Sequence, residues 1–266
     1  MFKNLLFSVF VILLNTQTNS VDLKSKWKKW LNLLKKKIKL IVSTIHNVLK
    51  IINSNIFHFK DRHSFLNNVS GVIHVGANSG QERYEYINYS LNVVWVEPIP
   101  EVFKKLEHNI KKYPKQRAYK YLLTDIENQD VNFKITNNEG ESSSIFNLGL
   151  HKNMYPGIRC INSINLKSST LVNLIDYEKI DIQKYQALII DTQGSELLVL
   201  KGGSSLLENF QYIKTEVADF EAYQGGCLLV DLSNYLKRFG FKEIQKTKFL
   251  EKVGIGSYFE ILYERK

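Results

Sequence analysis

Gly76 and Gly80 bracket Ala77, Asn78 and Ser79, and Glu97 follows Gly76 by 21 residues. The glycine turn comes after the apolar run Val72-Ile73-His74-Val75. Glu97, with Pro98 directly behind it, ends a second run, Val93-Val94-Trp95-Val96. Glycine lets backbone approach a ligand, a helix N-terminus after such a turn offers N–H donors, and an acid about 20 residues on can accept both ribose hydroxyl protons. The spacing therefore suits a βαβ unit that holds a nucleoside through Gly76, Ala77, Asn78, Gly80 and Glu97. The plain alternative is a tight turn and a strand-end charge in solvent.

Three further carboxylates could handle a proton. Asp191 closes the apolar run Ala187–Ile190, at the carboxyl edge where open α/β sheets bind ligands. It either orients or deprotonates an acceptor hydroxyl, or caps the helix beginning near Ser195. Glu196 falls in the first turn of that helix, where the dipole favours its charge. Glu216 comes at the end of the expected fifth strand and is a further candidate base, or a solvated strand-end charge. Thr124 and Asp125 follow a third run and either flank an adenine or form a turn. Ser142, Ser143 and Ser144 either reach over the ligand as a loop or make a solvated turn. His151, the one histidine in the long loop, is expected at the surface, with catalysis the alternative.

The elements that would carry these residues alternate as in a parallel sheet covered on both faces. Strands are expected at Gly71–Val75, Asn92–Val96, Ala118–Leu123, Ala187–Ile190 and Tyr212–Glu216, with a closing antiparallel pair at Phe241–Ile244 and Tyr258–Tyr263. An extra strand at Val131–Ile135 suits a hairpin. Helices are expected at Gln81–Asn88, at Pro100–Ile110 with proline in the first turn, at Ser195–Leu200 and at Leu228–Arg238. The stretch 137–169 has little periodicity and reads as a lid or substrate loop.

Composition is that of a globular chain, but its charge is unevenly placed. Of the net +10, all belongs to residues 1–60, which hold 11 lysines and a single acid, Asp22; the remainder balances at 25 basic and 25 acidic side chains. A nucleic-acid partner for the main domain has no electrostatic support. Cys160 and Cys227 lie far apart and the six histidines are scattered, so neither a disulfide framework nor a metal site is expected.

Residues 1–20 contain an apolar run, Leu5–Leu14, too short to span a bilayer. It suits a signal or anchor segment, or a hydrophobic arm packed on the domain. Over residues 21–60, Trp27, Trp30, Leu34, Ile38, Ile41, Ile45, Val48 and Ile52 recur at helical spacing, with lysines crowding the first half. Such a basic amphipathic helix fits an anionic membrane surface, and equally a helix packed on the domain with its lysines in water. The domain proper is expected over 61–266. Location follows the same division: membrane-associated, through the secretory pathway if residues 1–20 act as a signal, or cytoplasmic.

In several blocks the chain resembles the FkbM family of S-adenosylmethionine-dependent methyltransferases. These are Ile73 to Glu82, Trp95 to Pro100, Glu141 to Ser144, Ile190 to Gly202, Thr215 to Val217 and Phe239 to Phe241, in that order. The resemblance implies a Rossmann-like class I fold with a mostly parallel seven-stranded sheet, S-adenosylmethionine as donor, and methylation of a hydroxyl on a glycan, lipid-linked sugar or small metabolite. It implies donor contacts at Gly76, Ala77, Asn78, Gly80, Glu97, Pro98 and Ser143, with Thr124 or Asp125 beside the adenine. Many members carry an acid where this chain has His74, and Val-Glu where it has Thr192-Gln193; the pattern here matches a branch with His and Gln. Two rivals share the βαβ unit. A nicotinamide-dependent oxidoreductase expects Gly-x-Gly-x-x-Gly, which is absent; a non-catalytic membrane module would not need Glu97 and Asp191.

Overall fold

The computed structural model describes residues 63–266 together with Lys29, Leu33, Lys36, Lys37, Ile41 and Thr44. The chain divides into two compact units, Met1–His63 and Ser64–Lys266. In the first, those six positions are helical and exposed, including Ile41 of the expected apolar stripe. The rest of the expected signal segment and basic helix lies outside the described residues. Among the described residues, no helix is long and apolar enough to cross a membrane.

The second unit runs β1 (Gly71–Val75), α1 (Arg83–Asn88), β2 (Asn92–Val96), α2 (Pro100–Ile110), β3 (Gln116–Tyr119), β4 (Leu122–Leu123), β5 (Asp130–Thr136) and α3 (His151–Met154). It continues through β6 (Cys160–Ser169), α4 (Leu171–Tyr177), β7 (Ala187–Ile190), α5 (Glu196–Gly202), β8 (Tyr212–Ala218), α6 (Leu229–Lys237), β9 (Phe241–Lys252) and β10 (Gly256–Arg265). Seven strands form one sheet in the order β3-β2-β1-β7-β8-β10-β9. All pairs from β3 to β8 are parallel, while β10 runs antiparallel to both β8 and β9. This is the Rossmann-like methyltransferase architecture expected from the strand pattern.

Period-two alternation sorts the central strands' side chains into two cores. Ile73, Val75, Val94, Val96, Leu188 and Ile190 point to one face, under Leu171 and Leu174 of α4, Val199 and Leu200 of α5, and Leu232 and Leu236 of α6. Val72, Val93, Trp95 and Ala187 point to the other, against Tyr86 of α1 and Leu106 and Ile110 of α2. Strand β1 is buried along its whole length, as a central strand covered on both faces must be.

Four expectations need correction. The run Ala118–Leu123 is two strands: β3 ends at Tyr119 on the main sheet, whereas Leu122–Leu123 pair with Ser168 and Ser169 of β6. The extra strand β5 does pair antiparallel with the next strand, β6, but the two are joined by a long connection that holds α3 and not by a hairpin turn. The stretch 137–169 is therefore not one open loop, because it contains α3 and all of β6. The helix after the glycine turn starts at Arg83, two residues later than expected, and is only 6 residues long.

Candidate active site

The carboxyl ends of β1, β2, β7 and β8 surround a cleft of about 340 Å³, within the ~300–1,000 Å³ usual for small-ligand sites. Gly76 opens it. Its φ is +82°, and a Cβ there would lie 1.8 Å from the Asp191 carbonyl oxygen, so only glycine lets β1 and β7 meet this closely. The N–H groups of Gly76 and Ala77 both donate to Val96 O at 3.0 Å. Asn78 N–H donates to Glu97 Oε2 at 2.9 Å, and Ser79 N–H to the Asn78 side chain at 2.6 Å. The loop's own bonds thus engage these donors. It offers a ligand shape, rather than the free helix-terminal N–H groups expected from the sequence.

Glu97 is buried at the cleft wall, its second oxygen accepting from Ile99 N–H at 2.9 Å. Burial outweighs those two hydrogen bonds and raises its pKa to about 7. Each oxygen keeps a lone pair for a further donor. Pro98 lines the cleft beside it, and Ile99, Leu122, Leu123 and Phe133 supply an apolar wall for a flat ring.

The structure does not bring every expected residue to the cleft. Gly80, with φ of +73°, faces α2, where a Cβ would meet Leu106 at 2.8 Å. Thr124 is buried in a turn, its hydroxyl bonded to Ile126 N–H and O. Asp125 is exposed next to it; neither lines the cleft, and the residues that do from this region are Leu122 and Leu123. Glu196 is buried away from the opening and accepts from the N–H groups of Thr192 and Gly194, at 3.0 Å each, holding the β7–α5 turn.

Ser143 lines the cleft and the serine triplet is buried, not solvated. Ser142 Oγ accepts from Asn138 Nδ2 at 3.0 Å and meets His151 Nε2 at 3.1 Å; Ser143 Oγ accepts from Thr136 N–H at 3.0 Å; Ser144 Oγ donates to Gln193 O at 2.7 Å. His151 is likewise inside, 3% exposed, with Nδ1 2.6 Å from Tyr258 Oη. Its surface placement is overturned. Burial lowers its pKa to about 4, so it is neutral at physiological pH. Its burial comes from its ring neighbours Tyr155, one turn on, and Tyr223 and Tyr258, which are far away in sequence. His74 also lines the cleft. Its ring stacks on Trp95 and its Nδ1 lies 3.0 Å from Tyr86 Oη, while burial lowers its pKa.

Asp191 and Glu216 both line the cleft, each one residue past the paired Ile190 and Thr215 on neighbouring strands. Asp191 accepts from Gln193 Nε2 at 2.5 Å, and Gln193 Oε1 in turn accepts from Tyr223 Oη at 2.5 Å. Ser195, not Asp191, occupies the N-cap position of α5. Burial and then the Glu216 charge hold Asp191 well above the usual carboxylate range; burial and then Glu260 raise Glu216 to about 7.

S-adenosylmethionine carries a ribose, an adenine and a positive sulfonium, and these residues fit it. Glu97 has acceptors for ribose hydroxyls, the Leu122–Leu123 wall suits the adenine, and the lining includes five carboxylates with no lysine or arginine among the described residues.

Residues 74–243 match the methyltransferase FkbM domain. The 2-O-methyltransferase NoeI of Sinorhizobium fredii is 23% identical over 176 residues, covering 63% of this chain and 71% of that protein. Among solved structures, magnesium protoporphyrin IX methyltransferase from Synechocystis, with bound S-adenosylmethionine, aligns at TM-score 0.44 and 10% identity, covering 80% of this chain and 77% of that one. Streptococcus pneumoniae Sp1610, also in complex with S-adenosylmethionine, aligns at TM-score 0.42 and 14% identity, covering 77% and 72%. The domain match spans well over half of the chain, and the protein belongs to the FkbM methyltransferase family, whose methyl donor is S-adenosylmethionine.

Proposed function

We propose that the enzyme methylates a hydroxyl oxygen of an uncharged, sugar-like acceptor. One observation carries this reading: a ribose-accepting carboxylate, Glu97, and the paired carboxylates Asp191 and Glu216 line one cleft. The 2-O-methyltransferase named among the relatives supports oxygen as the acceptor atom. The donor, when bound, supplies an electrophilic methyl that needs no further activation. The protein's task is then alignment, exclusion of water and care of one proton. Glu97, Asn78 and Pro98 would hold the ribose, and the wall Ile99–Leu122–Leu123 the adenine. Asp191 and Glu216 would receive the acceptor hydroxyl as a hydrogen-bond donor and take its proton. Gln193, tied to Tyr223, fixes the Asp191 carboxylate. A lipid-linked sugar would also suit an enzyme whose lysine-rich segment rests on a membrane.

The test is methyl transfer from tritiated S-adenosylmethionine into fractionated host extract. The expected product is a labelled glycan, glycolipid or small metabolite whose methyl group withstands mild base, as an ether does and an ester does not. Label confined to amines or to protein would overturn the assignment of a hydroxyl acceptor.

A further inference from the structure

The cleft is strongly acidic. Glu82, Glu97, Glu141, Asp191 and Glu216 line it, with His74 and His151 and no cationic side chain among the described residues. Asp191, just past the end of β7, and Glu216, within β8, lie at the same level on adjacent parallel strands. The charged and titratable groups around them are Glu196 from α5, Glu82 before α1, Glu260 opposite Glu216 on β10, Lys214 on β8, Tyr155, Tyr223 and Tyr258. The one ammonium in that set, Lys214 Nζ, lies 2.9 Å from Glu260 and is matched there. Desolvation and mutual repulsion therefore leave the pair holding a proton near neutrality, and a cation brought beside it reverses the balance.

We infer that Asp191 and Glu216 act as a charge gauge that separates the sulfonium donor from its neutral thioether product. They release a proton when the donor binds and regain one from the acceptor hydroxyl. This rests on reading the cleft as the donor site. The pair ends with the proton given up by the acceptor oxygen as that oxygen bonds to the methyl carbon. The electrons of the broken S–C bond stay on sulfur. Total charge inside the cleft is then the same before and after, and the product leaves without an electrostatic hold.

The probes are S-adenosylmethionine and S-adenosylhomocysteine, titrated calorimetrically into the full chain in buffers of differing ionisation enthalpy. Protonation changes at Glu97 are common to both ligands, so their difference isolates the sulfonium. More protons should be released on binding the donor than the product. The preference for donor over product should rise between about pH 6 and 8, by up to about ten-fold per pH unit for one proton. Glu216→Gln and Asp191→Asn should flatten that rise. Equal proton release and a pH-independent preference in the unaltered chain overturn the gauge while leaving the donor site standing. Failure of both ligands to bind overturns the donor site, and the gauge with it.

Discussion

Glu97 braces the glycine turn by accepting from Asn78 and Ile99, and it faces the cleft with lone pairs to spare. Glu97→Ala removes both roles. Hydrogen bonds to a charged group contribute ~1.5–3 kcal/mol, so the Kd for S-adenosylmethionine should rise about 10- to 100-fold by calorimetry; unchanged affinity would remove the ribose from this wall. Glu216 makes a prediction about pH. Its pKa, about 7 when folded against an ordinary 4.5, means the folded chain keeps a proton that the unfolded chain has lost between those values. This contribution to stability is fully present below the lower value and is lost as pH rises through the upper one. Glu216→Gln removes the titration. Its melting temperature should match the parent near pH 5 and exceed it by several degrees near pH 8, at ~2–4 °C per kcal/mol. A gap that does not vary with pH would mean that Glu216 is not desolvated.

At the scale of elements, the β7–α5 turn depends on Glu196. Its carboxylate holds the N–H groups of Thr192 and Gly194, and between them Gln193 adopts φ of +54°. Glu196→Ala leaves those buried donors unmet, at a cost of roughly 2–3 kcal/mol in urea unfolding, and weakens donor binding because Gln193 and Asp191 share the turn. Full stability with intact binding would count against this role. The sequence indicated β1, β2, β7 and α2 to the residue, because covered central strands and a proline-started amphipathic helix write strong local patterns. It under-read β9, whose Lys-rich stretch Phe241–Lys252 is mostly exposed, and merged β3 with β4, since apolar alternation cannot reveal which partner each half pairs with. In the site, Gly76, Glu97 and Asp191 were legible as ends of apolar runs, and Glu216 as a carboxylate at the end of the expected fifth strand, although β8 in fact continues past it to Ala218. The Ser142–His151–Tyr258 chain was not, because Tyr258 comes from β10, 107 residues beyond His151, and nothing local marks Ser142 and His151 as its partners. Glu196 was legible as a charge at a helix start but not as the clasp of a turn, which only the folded loop discloses.

For the molecule as a whole, charge divides along the chain. Residues 61–266 balance their acids and bases, while residues 1–60 carry the full +10. The catalytic unit has no net charge to draw it to an anionic membrane, and the excess of positive charge lies in the lysine-rich segment. Lys29, Lys36 and Lys37 are helical and exposed there, together with the apolar Leu33 and Ile41. A lysine close to an anionic surface contributes ~1 kcal/mol, and the attraction falls off over a Debye length of ~10 Å at 0.1 M salt. The full chain should therefore float with phosphatidylserine-containing vesicles at about 0.1 M salt and largely detach at about 0.5 M, whereas a chain starting at Ser64 should remain unbound at both. Retention at high salt would assign the attachment to insertion of apolar side chains into the bilayer rather than to charge. Equal flotation of the two chains would remove the N-terminal segment from membrane attachment and return the question to the catalytic unit.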